Sequence, residues 1–168
     1  DNNSNSATCT AVVTVSDATA PIAVCRNVSV NLSGSTATVT AAQVNNGSSD
    51  NCTVNLTSLT PSNFTCSNLG ANMVTLTVSD NNSNSATCTA VVTVSDATAP
   101  TAVCRNVSVN LGAAGTATVT AAQVNSNSSD NCGSVNLVSL TPNTFTCSNL
   151  GANTVTLTVN DGHGNAAS

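Results

Sequence analysis

The chain has 168 residues, with eight Cys, two Arg, seven Asp and a formal net charge of −5. So few cations exclude the basic surface that nucleic acids and anionic membranes attract, and no apolar run is long enough to span a bilayer. Eight cysteines in a chain with two Phe and no Trp or Tyr indicate an oxidising compartment, and therefore an extracellular or cell-surface location.

The chain is an internal repeat. Its first 21 residues recur letter for letter at 80–100, and the sequence that follows recurs in the same order, with insertions near 112–115 and at Gly133. Four pairs of cysteines correspond in this alignment: Cys9 and Cys88, Cys25 and Cys104, Cys52 and Cys132, Cys66 and Cys147. A repeat of about 80 residues is too long for a solenoid and suits a small β-sandwich.

Two SDATAP segments, at 16–21 and 95–100, predict the domain boundaries, because proline cannot donate to a sheet ladder and disfavours helix before it. The chain then divides into three parts. Residues 1–16 are a final strand that belongs to a preceding or neighbouring domain, 17–95 are repeat 1, and 96–168 are repeat 2 without its final strand.

Apolar and polar residues alternate in four segments of repeat 1, at 27–32, 35–40, 72–79 and 86–94. A period of two predicts half-buried antiparallel strands. The inward faces are Val28, Val30 and Leu32, then Ala37 and Val39, then Val74, Leu76 and Val78, then Cys88, Ala90, Val92 and Val94. The predicted fold class is therefore all-β, as tandem antiparallel sandwiches stapled by disulfides.

Two local features interrupt this alternation. The segment 40–44 predicts a helical turn between strands. Cys25 has the wrong parity to share a face with Val28 and Val30, so we expect a bulge or a change of strand partner near Arg26.

The stretch 72–94, and still more 153–168, resembles the end of a hyalin repeat (HYR) domain. That family's pattern has a Val-rich strand, then D-x-x-G-N, then a final strand with a cysteine, and Cys25 and Cys104 match its early cysteine. The resemblance implies an immunoglobulin-like sandwich in an extracellular, adhesive or multidomain protein. It implies no catalytic residues.

The cysteines are predicted to form bridges rather than a zinc site, since no CxxC pair occurs. We expect Cys25 to pair with Cys88 and join the first and last strands, and Cys52 to pair with Cys66 around a loop of about 15 residues. In repeat 2 we expect Cys132 to pair with Cys147. Cys9 and Cys104 have no partner in this chain and are candidates for a bridge between units.

Catalysis and cofactors are not expected. His163 is the only His, it lies in a Gly-rich turn, and no Lys, Glu or Tyr is present to assist it. Asp- and Asn-rich turns such as 80–84 offer oxygen ligands for Ca²⁺, but such turns more often bond their own backbone. We predict no cofactor, with Ca²⁺ as the alternative.

Ten N-x-S/T sequons are candidate N-glycosylation sites, although the Asn-, Ser- and Thr-rich composition produces such motifs by chance. They lie at Asn2, Asn27, Asn31, Asn46, Asn51, Asn55, Asn63, Asn81, Asn106 and Asn127. Covalent glycans are therefore possible partners, and the sequence does not select among these sites.

Two functional interpretations remain open. The first is a structural repeat of an extracellular fibre, and the second is an adhesin module that binds a glycan or protein ligand through its loops. Each repeat has one Phe and one Arg to offer as binding anchors, and all four lie near cysteines in the sequence, which favours the structural interpretation.

The incomplete repeat suggests how a fibre would be built. We expect the strand with Cys9, Ala11, Val13 and Val15 on one face to fill the slot in repeat 2 of the next copy, sealed by a bridge from Cys9 to Cys104. The donating and accepting surfaces differ, so this contact propagates as a head-to-tail filament. The alternative is a continuous tandem array in which the same strand arrives covalently.

Overall fold

The computed structural model describes residues 2–168; Asp1, part of the predicted segment 1–16, lies outside the described residues. Within this range the chain is all-β, with eleven strands and a few single-turn helices. Repeat 1 contains β1 (Val28–Asn31), β2 (Thr36–Thr38), α1 (Ala41–Val44), β3 (Asn55–Thr60), β4 (Asn63–Thr65), a 3₁₀ turn (Cys66–Asn68), β5 (Gly70–Ser79) and β6 (Ser85–Ser95). Repeat 2 contains β7 (Thr116–Thr118), α2 (Ala121–Val124), β8 (Asn136–Thr141), β9 (Thr144–Thr146), a 3₁₀ turn (Cys147–Asn149), β10 (Thr156–Asn160) and β11 (Ala166–Ala167).

The sheet of repeat 1 is organised around its last strand. The strands follow the order β1-β6-β5-β3, while β2 and β4 form a separate two-stranded sheet. Strand β6 runs antiparallel to β5 along its whole length, from Ser85 opposite Ser79 to Val94 opposite Gly70. On its other edge β6 runs parallel to β1, with Val28 opposite Val92. The last strand is therefore a central strand of its sheet.

The predicted inward faces are confirmed. Alternating apolar residues of β5 and β6 point into one core, because successive side chains of a strand point to opposite faces. Within the described chain, the buried residues of this core are Leu32, Val39, Val44, Leu59, Phe64, Val74, Leu76, Val78, Ala90, Val92 and Val94.

The two predicted interruptions are also present. The helical turn α1 is capped by Thr40, whose backbone N–H donates to the Gln43 side chain at 2.7 Å. Cys25 pairs with Asn45 through an isolated bridge, whereas Val28 already pairs with β6. The chain thus changes strand partner near Arg26, which explains the parity of Cys25.

Repeat 2 has the same hairpins but a smaller core. Its sheet has the order β11-β10-β8, and β7 pairs with β9. Within residues 2–168, the buried core residues are Val119, Val124, Leu140, Phe145, Leu157 and Val159. Leu111 and Val155, the counterparts of buried Leu32 and Val74, are only half-buried. The difference arises because only the short β11 stands where repeat 1 has the long β6.

Candidate functional site

An open groove runs along repeat 2 between segments 104–111 and 149–155. Its volume is about 900 Å³, and the core residues Val119, Val124 and Phe145 contribute to its lining. In the described chain, residues 105–111 and 150–155 belong to no strand. Apart from the Arg105 N–H, which donates to the Val124 carbonyl, and the Gly151 carbonyl, which accepts from the Asn153 side chain, their peptide groups are available to pair with a further strand.

The corresponding space in repeat 1 is filled by β6. There β1 and β5 bracket β6 on its two edges, and the side chains of Val92 and Val94 are only 0% and 2% exposed. Segment 107–110 of repeat 2, which has the sequence of β1, forms no strand within residues 2–168, and β10 begins only at Thr156. The groove thus has the position and shape of one missing β-strand.

The walls of the groove expose apolar side chains that repeat 1 covers. Val107 and Val109 are exposed, whereas their counterparts Val28 and Val30 are half-buried. Leu150, at the other wall, is 78% exposed. Exposed apolar surface gathered in one cleft is typical of an interaction site.

A segment with the sequence of β6 lies exposed at the other end of the chain. Residues 6–16 repeat Ser85–Ser95 letter for letter, but they form no strand within residues 2–168. Val13 and Val15 are 82% and 89% exposed, although the identical residues in β6 are buried. The chain therefore presents both an empty strand position and an unpaired copy of the strand that fits it.

One predicted disulfide joins β6 to the start of repeat 1. Cys25 and Cys88 are bonded, with their Cα atoms 5.8 Å apart. Their counterparts in the groove and in the exposed segment are Cys104 and Cys9, which are both exposed and free within the described chain. The two free cysteines therefore correspond to the two cysteines that are bonded in repeat 1.

The predicted pairs Cys52–Cys66 and Cys132–Cys147 are wrong. Cys66 is bonded instead to Cys132 of repeat 2, with a Cα separation of 5.2 Å, and Cys52 and Cys147 are free among residues 2–168. The reason is position: Cys52 lies beside Asp17, where the chain enters repeat 1, whereas Cys66 lies at the end of repeat 1 that contacts repeat 2. Two cysteines at opposite ends of one repeat cannot be joined.

The junction between the repeats is reinforced by Asn131, which the sequence alone does not single out. Its side-chain amide donates to the Gly34 carbonyl at 2.6 Å and to Asp96 at 3.2 Å. Oδ2 of Asp96 and Oδ1 of Asp130 are buried there without a hydrogen-bond partner in the described chain, which costs free energy. The covalent bridge and the hydrogen bonds of the Asn131 side chain to Gly34 and Asp96 therefore hold the junction.

Acidic side chains gather at the entry to each repeat. Oxygen atoms of Asp17, Asp50 and Asp80 lie within 4.8 Å of one another. Asp80 accepts from the backbone N–H groups of Asn82 and Asn84, at 2.9 and 2.8 Å, so it closes an Asx turn as expected. Such oxygens are also the ligands that Ca²⁺ prefers. Here the Asp80 carboxylate is already engaged by its own turn.

The only His lies in the matching turn of repeat 2. A ring nitrogen of His163 lies within 4.8 Å of carboxylate oxygens of Asp96 and Asp161, and the His163 backbone N–H donates to Asp161 at 2.8 Å. Burial acts to raise the pKa of Asp161, but hydrogen bonds from the Asn165 side chain and from two backbone N–H groups hold that pKa below its ordinary value. The turn keeps its carboxylate ionised.

The acidic entry to repeat 1 affects Cys52. The pKa of the Cys52 thiol is raised because it donates a hydrogen bond to Asp17, and because the negative charges of Asp17, Asp50 and Asp80 disfavour a thiolate. The pKa of Asp17 is lowered, chiefly by the hydrogen bond from the Thr19 backbone N–H. The acidic entry to repeat 1 therefore disfavours the thiolate form of Cys52.

The candidate binding anchors differ in exposure. Phe64 and Phe145 are buried in the two cores. Arg26 and Arg105 are exposed, and the Nε of each donates to a backbone carbonyl, Gln43 O at 2.9 Å and Gln123 O at 2.8 Å. All ten sequon asparagines are exposed, so each is sterically open to modification.

No protein-family model, curated protein or solved structure matches the chain. Across residues 2–168, no helix has the length and apolar character needed to cross a membrane. The two disulfides indicate an oxidising environment, such as that outside the cell.

Proposed function

We propose that the protein is a structural repeat of an extracellular or cell-surface fibre, built of HYR-like, immunoglobulin-like sandwiches joined head to tail. One observation carries the proposal: the strand that fills repeat 1 has an exact second copy at 6–16, and the matching position in repeat 2 is an open groove. The occupant of the groove is the 9–15 segment of a neighbouring unit. No catalytic role and no nucleic-acid or membrane partner is proposed.

The register of the added strand follows from β6. Leu76 lies opposite Cys88 and Val74 opposite Ala90, so Leu157 would lie opposite Cys9 and Val155 opposite Ala11. Val13 and Val15 would then enter the core. Full burial of a valine contributes about 1.5–3 kcal/mol, and main-chain pairing to both walls of the groove adds to this.

A disulfide would make the contact permanent. In this register Cys9 reaches the position that Cys88 has in repeat 1, and Cys104 stands where Cys25 stands. Because the donating strand and the accepting groove are different surfaces, each unit binds one neighbour through each, and the assembly grows as a filament.

The test compares two substitutions in the exposed segment. Val13→Asp places a charge in the core of the groove, whereas Thr14→Asp, at the position of exposed Thr93, places the same charge on the outer face. We expect the wild type and Thr14→Asp to form filaments in electron micrographs and Val13→Asp to remain as single particles. Filaments of equal length in all three would overturn the proposal.

Mass measurement separates the two routes to a fibre. On denaturing gels without reductant, separate subunits give a ladder that collapses to one unit of about two repeats when reduced, since the bridges hold them together. A continuous tandem array gives a single very large polypeptide in both lanes.

A ligand-binding role is the second candidate, because Arg105 and Phe145 line the groove. Phe145 is nevertheless buried, and the matching groove of repeat 1 already holds a strand. If the adhesin interpretation is correct, the Val13→Asp monomer binds glycans or proteins and Arg105→Ala abolishes that binding. Under the fibre interpretation this monomer binds the 8–16 peptide instead.

A further inference from the structure

The bridge between Cys66 and Cys132 joins two repeats rather than closing a loop within one. Cys66 begins the 3₁₀ turn after β4, and Cys132 lies in the short turn that starts at Asp130. Cys66 Sγ lies 3.5 Å from the Asn131 carbonyl oxygen, and the Asn131 side chain bonds Gly34 of repeat 1. The contact is a specific junction in which the turn 130–132 of one repeat docks on the far end of the preceding repeat.

The surroundings of both cysteines of this junction recur elsewhere in the chain, those of Cys66 at Cys147 in repeat 2 and those of Cys132 at Cys52 in repeat 1. Cys147 begins the 3₁₀ turn after β9, and its Sγ lies 3.9 Å from the Gly115 carbonyl oxygen, as Cys66 Sγ lies 3.8 Å from that of Ser35. Cys147 is exposed and free within the described residues. The far end of repeat 2 thus has the geometry of a receiving cysteine.

The donating half recurs on repeat 1. The backbone N–H of Cys52 donates to Asp50 at 3.0 Å, just as that of Cys132 donates to Asp130 at 2.9 Å, so the two turns share this hydrogen bond. The turn of repeat 2 has in addition Gly133 and its bridge to Asp130. Cys52 is likewise exposed and free within residues 2–168.

We propose that Cys147 of each unit is disulfide-bonded to Cys52 of the next unit, so that every repeat junction along the fibre has the bridge seen between Cys66 and Cys132. This inference rests on the proposed head-to-tail assembly. Strand β6 leads directly into repeat 2 and brings Cys132 to Cys66; the identical segment 6–16 leads into repeat 1 in the same way. Its insertion in the groove therefore brings Cys52 to Cys147.

Each junction between units would then have two covalent links. Cys9 to Cys104 fastens the inserted strand, and Cys52 to Cys147 fastens the docked turn, as Cys25–Cys88 and Cys66–Cys132 do inside the chain. A fibre linked in this way does not come apart when one bridge is reduced.

The bond forms by oxidation of the two thiols. A disulfide-bearing oxidant, such as a thiol–disulfide oxidoreductase or oxidised glutathione, accepts two electrons and is reduced to its thiols. The two cysteine protons are released from Cys52 and Cys147 and balance those thiols.

The test uses the complete chain in two isotopic forms. Unlabelled and ¹⁵N-labelled protein are mixed in equal amounts under reducing conditions, then allowed to assemble in oxidised glutathione. After alkylation of free thiols, digestion with pepsin at acid pH prevents disulfide exchange and cuts beside Leu and Phe. Leu56, Leu59 and Phe64 separate Cys52 from Cys66, and Leu137, Leu140 and Phe145 separate Cys132 from Cys147.

We expect a pair of peptides joined by a disulfide between Cys52 and Cys147. In half of these pairs, one peptide should be ¹⁵N-labelled and the other unlabelled. Filaments that contain the Cys9–Cys104 peptide but in which Cys52 and Cys147 are alkylated would overturn the inference and leave the proposed function standing. The absence of both linked peptides and of filaments would overturn both proposals.

Matched variants give a second readout. Cys104→Ser and Cys147→Ser each remove one exposed, unbonded thiol, so neither disturbs the fold of the unit. On non-reducing denaturing gels, each single variant should keep the ladder of wild-type length, and the double variant should run as a single unit. A ladder lost in Cys104→Ser alone would show that Cys147 forms no link.

Discussion

Completing the groove within one chain should stabilise repeat 2 and stop assembly. The perturbation is a copy of residues 9–16 appended after Ser168, where β11 already begins the final strand along β10. The background is Val13→Asp, so that the N-terminal segment cannot compete for the groove. The control appends the same copy, but with Asp in place of the two valines that the copy takes from Val13 and Val15.

The expected magnitude comes from β6. Its two core valines are 0% and 2% exposed, and burying two valines contributes about 3–6 kcal/mol. The new cysteine can also bond Cys104, and a bridge across a loop of this length adds about 4 kcal/mol in the chain-entropy model. Even the lower figure of about 3 kcal/mol raises the unfolding midpoint of a domain of this size by roughly 12 °C or more.

Differential scanning calorimetry measures the effect, with hydrogen exchange of residues 150–155 to assign the transition to repeat 2. In the background protein we expect repeat 2 to unfold below repeat 1, because its core is smaller. The appended strand should bring the two transitions together, and the Asp-bearing control should not. An unchanged repeat 2 midpoint with the appended strand would refute the assignment of the groove to a β-strand.

Two further outcomes follow from the chemistry of the chain. Arg26 and Arg105 are the only trypsin sites, and the backbone N–H of each is bonded within its repeat, so the intact material should survive trypsin. Because the disulfides stabilise the fold, reduction should lower the unfolding midpoint sharply. An unchanged midpoint after full reduction would show that the core alone holds the fold. The lowered pKa values of Asp17 and Asp161 contribute stability that is present above their ordinary value of 3.8 and is lost as the pH falls through the lower folded values. The thermal unfolding midpoint should therefore decrease when the pH is lowered below about pH 4. The double variant Asp17→Asn with Asp161→Asn should show a smaller decrease.

The strands were predictable because one face of each is buried. The alternation of Val74, Leu76 and Val78 determines which side of β5 faces the core, and a shift of one residue would reverse it. The pairing of Cys25 with Cys88 followed because Cys25 closely precedes β1 and Cys88 lies on β6, the strand that pairs with β1. These are local or within-repeat properties.

The second bridge was not predictable in the same way, because it depends on how consecutive repeats pack. In a tandem array, a cysteine pair within one repeat and a pair between neighbours have the same sequence pattern. A nearest-loop argument selects Cys52 with Cys66, although the turn of Cys52 lies beside Asp17 at the entry to the repeat. Both repeats share a D-N-C turn, at 50–52 and 130–132, but only the packing of the two repeats places Cys132 at their junction.

The central claim is that the groove of repeat 2 is filled by a strand identical in sequence to β6. The most direct measurement is a cryo-electron microscopy structure of the assembled fibre at side-chain resolution. We expect continuous density for residues 9–15 between segments 105–111 and 150–155, with Cys9 joined to Cys104 and the side chains of Val13 and Val15 in the core. An empty groove, or one occupied by any other segment, would contradict it.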